Sequence, residues 1–220
     1  MSRILTVFAG PNGSGKSTLV KAENRIFIPD LYINADDIKQ QRNISDLDAA
    51  ILAEKLRNQA LDLEISFSFE TVLSTRRNLE LMQRARNKSY HINVIYVITQ
   101  NSTINIERVK DRVLLGGHSV PEEKIVTRYR RCIELLPEVV NVAHIMVLYN
   151  NSFSSPKLLL RKHNDTFIEI FEQPSPSKWT YAKIVEICGL QQQQPEDPLS
   201  KSNVSQPSNR STRQTHENNF

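Results

Sequence analysis

Cysteine is scarce: Cys132 and Cys188 are the only two in 220 residues. They supply neither the number nor the spacing of a metal site or a disulfide framework. Both fall among apolar neighbours in predicted helices, which is the setting of buried free thiols. Long apolar runs are missing too; none approaches the roughly 20 residues that cross a bilayer as a helix. The opening stretch MSRILTVFAGPNG runs straight into a strand and a loop, so no cleavable leader and a cytosolic location are expected. Aromatic residues are only 7% of the chain. They do not alternate with the basic residues, as a stacking groove for single-stranded nucleic acid would need. No internal repeat is visible. The net charge of +4 and isoelectric point near 9.1 favour an anionic ligand without specifying a nucleic acid.

What is present is the composition of a globular protein, with 39% hydrophobic and 24% charged residues. Polarity is concentrated at the end. From Gln191 the chain reads QQQQPEDPLSKSNVSQPSNRSTRQTHENNF, a segment with too little apolar surface to offset its ordering entropy. The expected organisation is therefore one folded domain over residues 1–190 and a disordered polar tail over 191–220.

Strands and helices alternate along the folded part. Predicted strands cover Ile4–Phe8, Leu31–Asn34, Ile65–Phe69, His91–Ile98 and Ala143–Tyr149, each short, apolar and rich in β-formers. Helices are expected over 16–23, after Ser45-Asp46, after Ser74-Thr75, from about Thr103 to Gly116-Gly117, from Pro121, and over 178–187. The helix after Ser45 is expected to bury Leu47, Ile51, Leu52, Leu56 and Ala60. Ile125, Tyr129, Cys132 and Leu136 form a core-facing stripe in the helix from Pro121. Leu158–Arg161 and Thr166–Ile170 read as a hairpin. The pattern is α/β around a mainly parallel sheet, whose ligands bind at the carboxyl ends of strands. Gly10, Asp36, Glu70 and Thr99 all follow such strands.

Residues 10–17 read Gly10-Pro11-Asn12-Gly13-Ser14-Gly15-Lys16-Ser17, with Thr18 next. This is a complete G-x-x-x-x-G-K-S between an apolar strand and a helix start. A triphosphate needs its charge enclosed at close range. Glycines let backbone N–H groups point inward, and the following helix adds its positive end. Lys16 reaches the β- and γ-phosphates in this motif, and the Ser17 hydroxyl ligates Mg²⁺. ATP with Mg²⁺ is the expected ligand pair. GTPase switch motifs are absent. So is the long apolar strand ending in Asp or Asp-Glu of motor and ABC ATPases, which leaves the small-molecule kinases as the large remaining class.

Asp36, Asp37 and Glu70 lie near predicted strand ends. One such carboxylate can accept the proton of an attacking hydroxyl, and another can orient the acceptor or Mg²⁺ waters. Asp37 also reads as a helix start. Arg108 with Arg112, and Arg128 with Arg131, each share a helix face. The segment between them is Gly116-Gly117-His118-Ser119-Val120-Pro121. Two arginine-bearing helices about a glycine hinge suit a lid that spreads the charge of a transferring phosphoryl group and excludes water. His118 is read as a turn or capping residue.

The ordered set FAGPNGSGKST, INADDI, SFSFETVLS, ERVKDRVLLGGHSVPEEKIVTRYRR and LYNNS resembles the zeta-toxin family of P-loop small-molecule kinases, in its compact branch, over about residues 4–152. The resemblance implies a P-loop NTPase fold with a mainly parallel five-stranded sheet of nucleoside-monophosphate-kinase type and a helical lid. It implies Lys16 as the P-loop lysine, Asp36 as the base, Glu70 and Thr71 as acceptor-contacting residues, and Arg112 and Arg128 as lid arginines. Tyr149-Asn150-Asn151-Ser152 resembles the loop approaching the adenine. Toxins of this family phosphorylate the 3′-hydroxyl of UDP-N-acetylglucosamine and are held by an antitoxin. The expected activity is transfer of the ATP γ-phosphate to a hydroxyl of a small molecule. Two other readings stay open: an ATP-binding switch or slow ATPase acting through a protein partner, and a nucleic-acid end kinase.

Overall fold

The computed structural model describes residues 3–20, 28–164, 167–171 and 180–189. The expected tail from Gln191, the continuation of the first helix past Val20 and the start of the last helix at Lys178 lie outside them. The strands are β1 (Ile4–Ala9), β2 (Tyr32–Ile33), β3 (Phe67–Thr71), β4 (His91–Ile98), β5 (Ile145–Asn150), β6 (Lys157–His163) and β7 (Phe167–Ile170). The helices are α1 (Lys16–Val20), α2 (Ala35–Arg42), α3 (Asp46–Asp62), α4 (Arg76–Asn87), α5 (Ser102–Leu114), α6 (Glu122–Val142) and α7 (Tyr181–Cys188).

All seven strands join one sheet in the order β2-β3-β1-β4-β5-β6-β7. The five from β2 to β5 are parallel, while β6 and β7 add antiparallel at one edge. The expected five parallel strands are thus present, and the hairpin extends the same sheet to seven. β1 is sandwiched between β3 and β4. Its carboxyl end, where the glycine-rich loop begins, is therefore flanked by the ends of both neighbours.

A parallel sheet must be covered on both faces, and side-chain alternation divides the core accordingly. Leu5, Val7 and Ala9 of β1 join Ile92, Val94, Tyr96 and Ile98 of β4 in the larger cluster. Ala53, Leu79, Leu136 and Ile184 bring α3, α4, α6 and α7 to that side. Phe8, Ile95, Val147 and Tyr149 face the other way, with Leu19 of α1 against them. Buried hydroxyls find backbone partners, as satisfaction of interior polar groups requires: Tyr96 donates to the Cys132 carbonyl at 2.9 Å and Tyr90 to the Ile65 carbonyl at 2.9 Å. Cys132 and Cys188 are free and buried, as expected, and burial pushes both thiols up to about 12.

Three local expectations are corrected. The first aspartate pair does not begin a helix at Asp37; Asn34 caps α2, accepting from the Asp36 N–H at 2.8 Å, so both aspartates sit in the first turn. In α3 the buried face is Ala49, Ala53, Arg57 and Ala60, whereas Leu47 and Ile51 are 69% and 57% exposed. Small residues let the helix lie close to the sheet; of the expected stripe Ala60 is buried and Leu56 packs against the core, while Leu47 and Ile51 turn outward. Finally, Ile65 is outside β3 and 45% exposed, because β3 starts at Phe67.

The rotated α3 face gives a direct test by urea unfolding. Ala53→Leu should cost about 1–3 kcal/mol through overpacking, while Leu47→Gln should stay within about 0.5 kcal/mol. The reverse pattern would restore the leucine-inward orientation.

Candidate functional site

The site forms where β1 hands over to α1. Gly10 has φ +142° and Gly13 φ +75°, backbone that glycine adopts without penalty. A side chain at Gly10 would collide with the Val97 carbonyl, and one at Gly13 would stand 2.5 Å from the Asn105 carbonyl. The loop is therefore wedged against β4 and α5. Asn105, buried in α5, ties it down: its Nδ2 donates to the Asn12 carbonyl at 2.5 Å, and its Oδ1 accepts from the Thr99 hydroxyl. On the other side, Asn151 Nδ2 donates to the Ser14 carbonyl at 2.8 Å. The Ser14 hydroxyl is buried and has no hydrogen-bond partner among the described residues. Pro11 is buried, and Thr18, next to Ser17, is exposed.

Lys16 is only 8% exposed. Its Nζ donates to the Pro11 carbonyl at 3.2 Å and lies 3.8 Å from Glu70 Oε1. Desolvation holds its pKa below the usual lysine value; the Glu70 carboxylate opposes that shift and Arg112 adds to it. Glu70, the penultimate residue of β3, also accepts from the Ser17 hydroxyl at 3.1 Å and from the Tyr32 hydroxyl at 3.4 Å. Tyr32 in turn accepts from Asn34 Nδ2 at 3.1 Å. Burial and the Glu70 charge push the Tyr32 phenol up to about 12. A chain of polar contacts thus runs from Lys16 through Glu70 and Tyr32 to the cap of α2.

The two aspartates of that turn differ. Both are exposed, but the Asp36 charge acts on Lys16 and the Asp37 charge on Tyr32. The Asp36 carboxylate makes no hydrogen bond or ion pair among the described residues, so it is available to a ligand. Thr71, by contrast, has its hydroxyl oxygen engaged by the Leu73 N–H at 3.0 Å and by Asn78 Nδ2 at 2.7 Å. It holds the β3–α4 turn, and its own O–H is left to donate.

The predicted lid is built by α5 and α6, joined through the 115–121 turn. Arg128 donates to Asn12 Oδ1 at 3.1 Å, which brings α6 onto the glycine-rich loop. Arg112 lies close enough for its charge to act on Lys16, and it donates to the His118 carbonyl at 2.7 Å. His118 Nδ1 is 3.4 Å from Lys39 Nζ, so the turn reaches across to α2, in keeping with its reading as a turn residue. Arg108 is half-buried with an unpartnered NH1 among the described residues. Arg131 is exposed.

Sequence reasoning missed the residues that hold the site rather than those that face its ligand. Tyr32, Asn34, Asn105 and Asn151 carry no motif by themselves. Asn34 lies in the INADDI segment with Tyr32 just before it, and Asn151 lies in YNNS, so two of the three segments were flagged, though not for this scaffolding. Asn105 gave no signal except an amide on the otherwise apolar face of an amphipathic helix.

A glycine-rich loop after the central strand of a parallel sheet, with a buried lysine, defines this chain as a P-loop α/β protein. The zeta-toxin family model matches residues 2–154, and the chain belongs to that family. An uncharacterised protein of Haemophilus influenzae is 33% identical over 127 residues, which are 56% of this chain and 89% of the relative. Among solved structures, a chain of AvrRxo1-ORF1:-ORF2 with ATP superposes with a TM-score of 0.59 at 11% identity, over 89% of this chain and 66% of that one. This likeness is one of fold. A chain from the PezAT chromosomal toxin-antitoxin system of Streptococcus pneumoniae aligns at 16% identity and a TM-score of 0.45, over 70% of this chain and 72% of that one. Among the described residues no helix is long and apolar enough to cross a membrane.

The tie between α5 and the loop is testable. Asn105→Ala removes the side-chain donor to the Asn12 carbonyl and should lower stability by about 1–3 kcal/mol. An unchanged urea midpoint would show that the loop is held some other way.

Proposed function

We propose that the protein is an ATP-dependent kinase that moves the γ-phosphate to a hydroxyl of a small molecule. The observation that carries this reading is the convergence of Lys16, Ser17, Glu70, Asp36, Arg112 and Arg128 on one loop end. Family membership and the kinase-type P-loop fold support it. The residues fit a bound triphosphate: the glycine backbone leaves no room for side chains, the Ser14 hydroxyl is buried without a partner among the described residues, and Lys16 is a buried cation. The amides of Gln100 and Asn150 are likewise buried with unpartnered nitrogens among the described residues. They flank the loop proposed to meet the base and could donate to its ring nitrogens.

In this mechanism the backbone of residues 13–17 and Lys16 would bind the β- and γ-phosphates, and Ser17 with Glu70 would hold Mg²⁺ or its waters, which would supply neutralisation of the phosphate charge. Asp36 takes the proton from the attacking hydroxyl, for which its unengaged carboxylate is suited. Arg112 and Arg128 lie where they can neutralise the γ-phosphoryl oxygens as the lid narrows the site and keeps water out. Glu70 and the Thr71 O–H orient the acceptor from the β3 side. UDP-N-acetylglucosamine is the first acceptor to try, and an antitoxin chain the corresponding protein partner.

The test is label transfer from γ-labelled ATP, with Mg²⁺, to a panel of UDP-sugars, nucleosides and oligonucleotides. Asp36→Asn should reduce transfer at least about 100-fold while leaving ATP affinity within a few-fold, and Asp37→Asn should transfer almost normally. Undiminished transfer by Asp36→Asn would remove it as the base. Release of inorganic phosphate alone, at equal rates with and without acceptor, would favour the partner-regulated switch.

A further inference from the structure

A second polar cavity, of about 210 Å³, lies between α3 and α4, lined by Arg57, Arg77, Arg84, Asn58, Asn78 and Glu54, with Glu80 at the exposed side. It shares no lining residue with the P-loop site. Its floor is Arg57, on the inward face of α3 and only 8% exposed. A guanidinium so placed has lost most of its hydration and calls for compensating hydrogen bonds. It has few. Its Cζ stands 5.0 Å from the Phe69 ring centroid, a cation–π contact on one side. Its Nε is buried with no hydrogen-bond partner among the described residues. Glu54, the carboxylate whose charge acts on it, is bonded to Arg77 NH1 at 2.9 Å instead. Burial accordingly holds the Arg57 pKa below the usual arginine value.

The walls supply more donors than acceptors. Arg84 NH2 is bonded to Asn58 Oδ1 at 2.5 Å, which uses the amide oxygen and leaves the other guanidinium nitrogens available. Asn58 Nδ2 is turned to the Glu54 carbonyl at 2.9 Å. Three arginines against two glutamates leave the cavity positive, and one of those glutamates already has its arginine. The space is below the range that holds drug-sized molecules, so it suits a small group rather than a nucleotide.

We propose that this cavity is a binding site for a phosphate group, seated on the buried Arg57 guanidinium and closed from the sides by Arg77 and Arg84. A tetrahedral oxyanion meets arginine forks with charge-assisted hydrogen bonds and gives Arg57 the partner it lacks. The proposal does not depend on the kinase reading. The cavity does border the same strand end, because Asn78 in its wall donates to Thr71, next to Glu70.

Full-length Lys16→Ala protein, in which the P-loop no longer competes for phosphate, provides the test. Inorganic phosphate and glycerol 3-phosphate would be titrated into it calorimetrically, at fixed ionic strength with chloride as the control anion. Saturable binding is expected, abolished by adding Arg57→Met and weakened about tenfold by adding Arg84→Gln. Arg84 is exposed, so its substitution keeps the test decisive even if Arg57→Met fails to fold. Tighter binding of glycerol 3-phosphate would mark a phosphomonoester as the occupant, and tighter binding of inorganic phosphate the free ion. No binding to the Lys16→Ala protein, or binding that Arg84→Gln leaves unchanged, would overturn the site. So would tungstate soaked into crystals of the unsubstituted protein that appears at the P-loop and not beside Arg57.

Discussion

The burial of one ammonium group organises this molecule. Lys16 sits at the start of α1, almost out of water, held by the Pro11 carbonyl of its own loop and facing Glu70 of the neighbouring strand. A cation in such a place is tolerated only with acceptors or charge nearby, and the fold provides them by topology. Because β3 and β4 flank β1, Glu70 arrives from one side, and Thr99 with the Asn105 anchor arrives from the other. The lid helix α6 reaches the same loop through Arg128. Remove the glycines and the loop cannot approach β4 and α5; remove Glu70 and the lysine loses its nearest negative charge.

That arrangement connects scaffold to chemistry. The site is cationic at the loop, and the Asp36 carboxylate is unengaged among the described residues, a separation of charge that the proposed transfer would use. Glu70 is not simply an acceptor-binding group, since its oxygens already meet Ser17, Lys16 and Tyr32. It joins the glycine-rich loop to β2. The Tyr32–Asn34 link extends the joint to α2, so the turn carrying Asp36 is positioned from the same point.

Much of this was legible in the sequence, and the reasons are specific. The glycine-rich loop has a fixed spelling because backbone geometry admits little else, and Val94–Ile98 is an unbroken run of apolar and aromatic residues because β4 is covered on both faces. Arginine spacing about a glycine pair pointed to α5 and α6, and of those arginines Arg128 bonds the glycine-rich loop, Arg112 bonds the His118 carbonyl and Arg131 is exposed. What failed did so for physical reasons. Periodicity ranks leucine above alanine, so in the first turns of α3 it picked Leu47 and Ile51, which are exposed, where close helix–sheet packing selected Ala49 and Ala53. The anchoring amides of Asn105 and Asn151 escaped because their partners are backbone carbonyls about 90 or more residues away, and no local pattern encodes such a pairing.

The central claim is that Lys16 is a buried cation waiting for negative charge, and its own titration tests that most directly. With the side chain labelled with ¹⁵N, its Nζ would be followed against pH in the free protein and with Mg²⁺ and a non-hydrolysable ATP analogue. Burial lowers the folded pKa, so in the free protein the proton should leave below the usual lysine range, and phosphates at the loop should raise the pKa again. By linkage, nucleotide affinity should then fall as pH rises through the free-protein value. A Lys16 that titrates like an exposed lysine, unmoved by nucleotide, would contradict the account at its foundation.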